Sequence, residues 1–517
     1  MYYTKVLSSL DDRLDAEFYN PEALRSIQRM KDVGEVVTLG SLISEGYRVV
    51  YHGTDSINGL DKSQLLPFLS PTQIDKEGAI SFEITDQLPM HYRESYPKGL
   101  AKEGELLVEV KGNVAKVAVV PSIFPKNLMV SGSLYKASID SSKADIHYVL
   151  AFLKSANGQV LKNRLTSNTI INYIAKEALY SIPVFKISMV AQRYIGNKVR
   201  QAEAIRIWAK SVEKEVTVFH QQFIPSQNNL NFNKKFRRVK TGNMTERFDA
   251  HFYPAVVDDY FADKEMLPLS NLGKIAHIFN GQTQPESSNT NTCEQITVTN
   301  LSPTFLIKEP RVVVAPGSKD KFTHQHDLLM CNAAHNKAYI GRDLTYCSAD
   351  IGVLPSTEVM VIRVNRNFVP ASYIRTYLLS KVGNVQIQST IRGITAHSYP
   401  NDVATLEIPL PVVPNELNER WFAMDNLLAQ AGLACEIATK LNATAKLLVE
   451  ALIKGTVNEA ELTATQEALD GGEDSLERIL FKRINTDGVD GEGEQLFDDI
   501  DQIYDLLAQV TKEMQEA

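Results

Sequence analysis

The chain lacks any stretch near the roughly 18 unbroken apolar residues that a membrane-spanning helix requires, so none is expected. Met1 to Asp12 has no basic start followed by an apolar core, and a secretory leader is not expected either. Cysteine is scarce. Cys293, Cys331, Cys347 and Cys435 in 517 residues cannot make a disulfide framework, which points to a reducing, cytoplasmic setting. The marks of several chemistries are missing too. There is no phosphate-cradling Gly-x4-Gly-Lys-Ser/Thr loop. A methyltransferase needs a Gly-rich cofactor loop and an Asn-Pro-Pro-aromatic phrase, and Asn20-Pro21-Glu22 offers only a fragment. His324, His326, Asp327, Cys331, His335 and Cys347 are zinc-ligand types, but no paired Cys-x2-Cys stands among them. Asp487 to Glu492 cannot be laid onto a twelve-residue calcium loop. Glu109-x-Lys111 has no partnered Asp and reads as alternation on a hairpin strand. No catalytic site, metal or cofactor is expected in this chain.

The net charge of -8 seems to argue against a polyanionic partner, but it is unevenly spread. Residues 451–517 hold 5 Lys+Arg against 17 Asp+Glu, whereas residues 151–250 hold 17 against 6. Affinity for a polyanion follows where cations cluster and not the sum over the chain. A solvated basic helix face explains such a run equally well. Charge alone decides nothing.

What is present is an internal duplication. Arg13-Leu14-Asp15-Ala16-Glu17-Phe18-Tyr19 returns as Arg247-Phe248-Asp249-Ala250-His251-Phe252-Tyr253, with five of seven positions identical. Glu105-Leu106-Leu107-Val108 is echoed by Asp327-Leu328-Leu329-Met330. Tyr148, Leu153, Ser155 and Gly158 return as Tyr373, Leu378, Ser380 and Gly383, and Ile182-Pro183-Val184 returns as Ile408-Pro409-Leu410. The order is kept throughout. A period this long implies two copies of one domain and not a solenoid. Within them, Leu106 to Val120 around Lys111-Gly112-Asn113 predicts a hairpin. Arg311 to Ala315 and Val359 to Val364 predict strands, and 145–155 and 369–382 predict short helices.

A long helical pattern follows each copy. Ile195, Val199, Ala202, Ile205, Ala209, Val212, Val216 and Phe219 step by three or four, as do Trp421, Met424, Leu428, Ala431, Cys435, Ala438, Leu441, Ala445, Leu448 and Leu452. A narrow apolar seam sustained this long marks a helix packed along another helix. At a rise of about 1.5 Å per residue, each would run roughly 50–60 Å. Beyond Gly455 the acidic segment reads as a helix to about Leu469, a second near Leu476 to Arg483, and a last from about Leu496.

Two tandem domains, each followed by a long helix, resemble the specificity (S) subunit of type I restriction-modification systems over roughly residues 1–455. The Arg-x-Asp-Ala-x-Phe-Tyr opening is similar to the start of that family's recognition domains. Gly104 to Pro121, with Lys111-Gly112-Asn113-Val114-Ala115-Lys116, is similar to its hairpin. Thr166-Ser167-Asn168-Thr169 and Arg392-Gly393-Ile394-Thr395 stand where the family has a small-residue turn. The chain departs from the family where a Pro-rich phrase with Glu-Gln should follow Ile-Pro, and in its acidic segment. The resemblance implies a mixed α/β fold of two strand-rich target-recognition domains, residues 1–185 and 229–412. Two long antiparallel coiled-coil helices, 186–228 and 413–455, would separate them with pseudo-two-fold symmetry. A small helical appendage, 456–517, would follow.

By the same resemblance each domain would read one half of an asymmetric, bipartite site on double-stranded DNA. The helices would set the spacing and dock two methyltransferase (M) subunits, which bring the S-adenosylmethionine, with a restriction (R) subunit as a further partner. Base reading needs paired donors and acceptors, and backbone anchoring needs Lys, Arg and small hydroxyls. The candidates in the first domain are Arg48, Tyr51, His52, Lys111, Asn113, Lys116, Arg164, Ser167 and Asn168. In the second they are Gln282, Thr283, Gln284, Lys319, Lys321, Asn332, Asn336, Lys337, Arg392 and Thr395. Two rival readings stand beside this one. One is a duplicated scaffold organising other proteins through its coiled coil, with the acidic segment on a partner or over the chain's own basic cleft. The other is a nuclease built on Glu109.

Overall fold

The computed structural model describes residues 13–516, apart from 14, 54, 83–85, 168–170, 235–238, 240–243, 245–246, 263–267, 288–290, 307–309 and 351. It divides into two units, Met1–Ile205 with Ile437–Ala517, and Arg206–Glu436. Unit 1 carries β1 (Glu35–Thr38), β2 (Ile43–Arg48), β3 (Leu65–Leu69), β4 (Asp86–Pro89), β5 (Leu106–Glu109), β6 (Val117–Val119), β7 (Met129–Val130), β8 (Leu134–Ile139) and β9 (Pro183–Lys186). Unit 2 carries β10 (Leu269–Asn271), β11 (Ala276–Asn280), β12 (Thr292–Ile296), β13 (Arg311–Val314), β14 (Leu328–Cys331), β15 (Ala333–Ala334), β16 (Leu344–Tyr346), β17 (Leu354–Pro355), β18 (Val359–Val364), β19 (Ala396–His397) and β20 (Glu407–Pro409).

In unit 1 an antiparallel sheet runs β2-β8-β5-β6, a second runs β4-β3-β7, and β1 pairs with β9. In unit 2 the same three groups are β11-β18-β14-β16, β13-β12-β17 and β10-β20. The parallel pair recurs as well: Phe68 opposes Met129 in one unit, and Gln295 opposes Leu354 in the other. The cores correspond. Leu69, Leu107, Val120 and Leu134 cluster in unit 1, and Ile296, Leu329, Cys347 and Val359 in unit 2. The duplication is one of topology, sheet for sheet across these three groups.

The hairpin expected between Leu106 and Val120 forms, with Leu106 opposite Val119. Its strands do not alternate, however: Leu106 to Val110 and Val117 to Val120 are all buried. One face of this sheet meets the apolar cluster and helix Ile146–Lys154 packs near β6, so neither face requires polar residues. Glu109 accepts from the backbone of Lys116 at 3.1 Å and so closes the turn. A Cβ at Gly112, whose φ is +116°, would stand 2.8 Å from that carboxylate.

The repeated residues hold backbone. Arg13 makes two bonds to Asp15 (2.8 and 2.7 Å) and donates to the carbonyls of Leu165 (3.1 Å) and Thr166 (2.8 Å). Arg247 does the same with Asp249 (2.8 and 2.6 Å), Thr390 (2.9 Å) and Ile391 (3.5 Å). Tyr19 and Tyr253 donate to the carbonyls of Arg13 and Arg247. The guanidinium beside each carboxyl holds Asp15 and Asp249 below the usual carboxylate range. Buried Tyr148 and Tyr373 donate to the β9 residue Phe185 and the β20 residue Pro409. Ser155 and Ser380 cap helices Ala156–Asn163 and Lys381–Ser389 through the amides of Gly158 and Gly383. A Cβ at either glycine would fall 2.0 or 2.2 Å from a carbonyl of the preceding helix.

One carboxylate has changed places between the copies. Helix Ile146–Lys154 is capped by its own Asp145, and the long helix presents Gly196 there, where a Cβ would meet Asp145 at 2.5 Å. Helix Ala371–Leu379 begins after Pro370, which has no capping side chain. The cap comes instead from the second long helix. Buried Asp425 accepts from the amides of Ala371 (3.1 Å) and Ser372 (2.8 Å), from the Ser372 hydroxyl (2.7 Å) and from Arg366 (2.7 Å).

The long helices are Met189–Gln221 and Asn418–Lys454, and the division between the units falls inside both. In unit 2 their halves run antiparallel. Arg420 pairs with Glu215, His220 packs on Trp421, and Cys435 lies in the fields of Arg206 and Glu213. His220 is fully buried, bonds Ser372 at 2.9 Å, and is pushed down to about 4 by burial, against the pull of Asp425. A histidine held neutral stabilises the fold above its unfolded value of about 6.5, and that stability is lost as pH falls toward 4. Unit 2 is expected to lose about 3 kcal/mol across this window. A His220→Phe chain should show a flatter pH dependence in urea titrations of tryptophan fluorescence, and an unchanged slope would contradict the assignment.

The acidic segment folds as helices Glu459–Asp470, Ser475–Lys482 and Ile500–Glu516. It is built into unit 1 through buried Leu462, Leu480, Phe481, Phe497 and Ile503. Its acids meet bases of the long helices: Asp470 pairs with Arg193, Glu477 with Lys198, and Asp498 with Lys440.

Candidate nucleic-acid interface

Each unit brings the end of its four-stranded sheet together with two loops. In unit 1 the pivot is Tyr173. Its backbone bridges both Lys111 and Ser167, and its hydroxyl accepts from Arg48 at 3.1 Å while the guanidinium lies over the ring at 5.1 Å. The end of β2, the hairpin turn and the small-residue turn therefore share one surface. Lys111 and Asn113 are exposed on it, and Lys116 and Arg164 are half-buried, the latter 4.3 Å over Phe18. Ser167 donates to the Tyr173 carbonyl at 3.1 Å. Asn168 lies outside the described residues.

In unit 2 the pivot is Asn332. Its amide donates to Asn280 at the end of β11 (2.7 Å) and to the Thr357 carbonyl (3.0 Å), and its own carbonyl accepts from Ser398 (2.8 Å). β15 pairs with β19, so the loops around 332–342 and 391–399 stand side by side as their counterparts do in unit 1. Asn336, Lys337 and Thr395 are exposed there. Gln282 and Thr283 are exposed beside Thr357, whose hydroxyl lies 3.0 Å from that of Thr283. Gln284 is half-buried, Lys319 is exposed, and Lys321 reaches the Gly281 carbonyl at 3.4 Å.

Some candidates are tied more firmly into their own unit. Tyr51 packs among Phe68, Tyr92 and Tyr96, and donates to Val130 at 2.8 Å; burial pushes its phenol up. Asn332 is only 4% exposed and its amide is satisfied within the protein. Arg48 is held by the Gly132 carbonyl at 2.6 Å and by Tyr173. Arg392 makes two bonds to Asp402 and keeps 46% of its side chain exposed. Tyr51 and Asn332 are corrected to supports of the loops. His52 remains exposed, and its backbone amide donates to the Tyr96 hydroxyl.

No family model matches the chain, and no curated protein matches it. Solved structures do. An S subunit of a type I restriction-modification system from M. genitalium shares 12% identity, with 84% of this chain and 94% of that one covered at a TM-score of 0.35. The HsdS subunit from Thermoanaerobacter tengcongensis shares 14%, with 82% and 97% covered at a TM-score of 0.26. A chain from a study of type I assembly and conformational transition shares 13%, with 82% and 97% covered at 0.27.

The remaining clusters of chemical interest have the following partners. Asp327 pairs with Arg363 at 2.7 Å, His326 meets the Tyr346 hydroxyl at 2.7 Å, and no metal-ligand cluster occurs among the described residues. Asp487 accepts from the amides of Glu492 and Gly493 and closes its own loop. Tyr173 and Arg342, with the exposed apolar residues Phe248, Tyr339 and Ile394, were not among the sequence candidates. Ile394 had a signal: an aliphatic residue following glycine in an otherwise polar turn.

Proposed function

We propose that this chain is the specificity subunit of a type I restriction-modification or related methylation-linked defence complex, reading DNA without a catalytic site of its own. One observation carries this reading: the same pair of loops, on the same sheet edge, is built twice and dressed differently. Lys111, Asn113 and Arg164 belong to one surface and Asn336, Lys337, Arg392 and Thr395 to the other. Cations and small hydroxyls suit phosphates, and amides suit base edges. Unlike surfaces on like frames suit two different half-sites, and a fixed spacing between readers selects helical phase on the duplex. The long helices serve as that spacer and as the dock for two methyltransferase subunits, which carry S-adenosylmethionine.

Methylated bases mapped in a host with and without this gene test the proposal. A split, asymmetric motif methylated only in the gene's presence supports it. Methylation that is unchanged on deletion overturns it. Lys111→Ala and Lys337→Ala are each expected to weaken duplex binding and to lower the slope of log affinity against log salt by about 1. Unchanged affinity at low salt in both variants would remove these loops from the interface.

A further inference from the structure

Ile394 is the most exposed large apolar residue described, at 107% of its reference surface. It does not stand on a slack loop. Arg392 and His397 exchange both backbone hydrogen bonds, at 2.7 and 3.0 Å, and Gly393 turns the chain at φ +78°. Arg392 is clamped to buried Asp402, which also meets Arg247 at 3.4 Å. A β-branched side chain is thus presented at the tip of a braced turn. In unit 1 Ser167 and Tyr173 form a bridge at the corresponding place, and Ile171 is 53% exposed.

The surroundings select the occupant. Exposed Lys337 lies on the neighbouring loop, linked to the turn's supporting helix through Gln388. The nearby carboxylates Asp249, Asp343 and Asp402 are all ion-paired with arginines. An apolar tip beside an exposed lysine, with the neighbouring carboxylates neutralised, suits a partner with an anionic outer surface and flat apolar layers inside. Duplex DNA has that construction, and aliphatic side chains enter it by parting a base step. Resting on the DNA-reading proposal, we propose that Ile394 is an apolar wedge that enters a base step of the half-site read by unit 2.

The test uses the full chain and a duplex recovered by it from a randomised pool. 2-Aminopurine is placed in turn at each position of the recovered motif, and its fluorescence is read on binding. One position is expected to brighten with the wild-type chain and to stay quenched with Ile394→Ala. That variant should melt as the wild type does, since the side chain is fully exposed, and should bind about tenfold more weakly. Ile394→Leu should restore brightening. A duplex that binds without any brightened position, or that brightens equally with Ile394→Ala, overturns the wedge and leaves DNA reading intact. Failure to recover any sequence overturns the reading itself.

Discussion

Asp425→Ala is expected to destabilise unit 2 by about 3–5 kcal/mol, because it strips one partner from a buried ionic and capping network. The carboxylate satisfies two amides at the start of helix Ala371–Leu379, the Ser372 hydroxyl and the Arg366 guanidinium, and is itself fully buried. Alanine leaves all four without it. Both tryptophans, Trp208 and Trp421, lie in unit 2, so urea titration of their fluorescence reads this unit directly. The arrangement of unit 1 suggests the rescue. Pro370→Asp in an Asp425→Gly background would place the carboxylate at the helix's own N-cap, as Asp145 does opposite Gly196. The double variant should regain part of the loss. A double no more stable than Asp425→Gly alone would mean that the two caps are not equivalent.

Lys198→Met should have a comparable effect on the C-terminal segment. Lys198 is 1% exposed, contacts Glu477 and Gln201, and lies about 5 Å over the rings of Tyr194 and Phe481. Tyr504 supplies the second bond to Glu477, at 2.7 Å. Methionine keeps the volume and leaves a buried carboxylate without its cation, which costs about 3–5 kcal/mol. Amide exchange in Ser475–Lys482 is expected to accelerate about a hundredfold or more. Lys198→Met with Glu477→Leu removes both charges and should recover most of the protection, since apolar replacement of a whole buried pair is close to neutral. Equal exchange in the single and double variants would show that the pair is not what holds the segment.

Much of the architecture was legible because the repeated residues hold backbone. Arg13 and Arg247 tie the start of each domain to a turn some 150 residues away, and Ser155, Gly158 and their counterparts form a tight corner between helices. Such positions tolerate little change, so their order survives when the surface diverges. The long helices were legible from their seams for the same reason. Direction was harder to read. Tyr51 and Asn332 have the hydrogen-bonding groups of DNA readers, but donors and acceptors do not reveal whether they face solvent or their own sheet. The exchange of Asp145 for Asp425 left no trace in the sequence, because the two positions meet only in the folded unit. The basic run 151–250 concealed Lys198, whose charge is matched by Glu477 across 279 residues of chain.

The nested connectivity of the chain bears on its synthesis. Unit 2 is one continuous segment, whereas unit 1 is assembled from segments that precede and follow it in the chain. On the ribosome the half that begins first must therefore finish last. Residues 189–205 emerge with Lys198 and Tyr194 uncovered and stay so until the acidic C-terminal helices follow, after all of unit 2 has been made. A chain truncated before residue 456 would leave Lys198 without Glu477, and aggregation through the face that the C-terminal helices cover is the expected fate of premature termination.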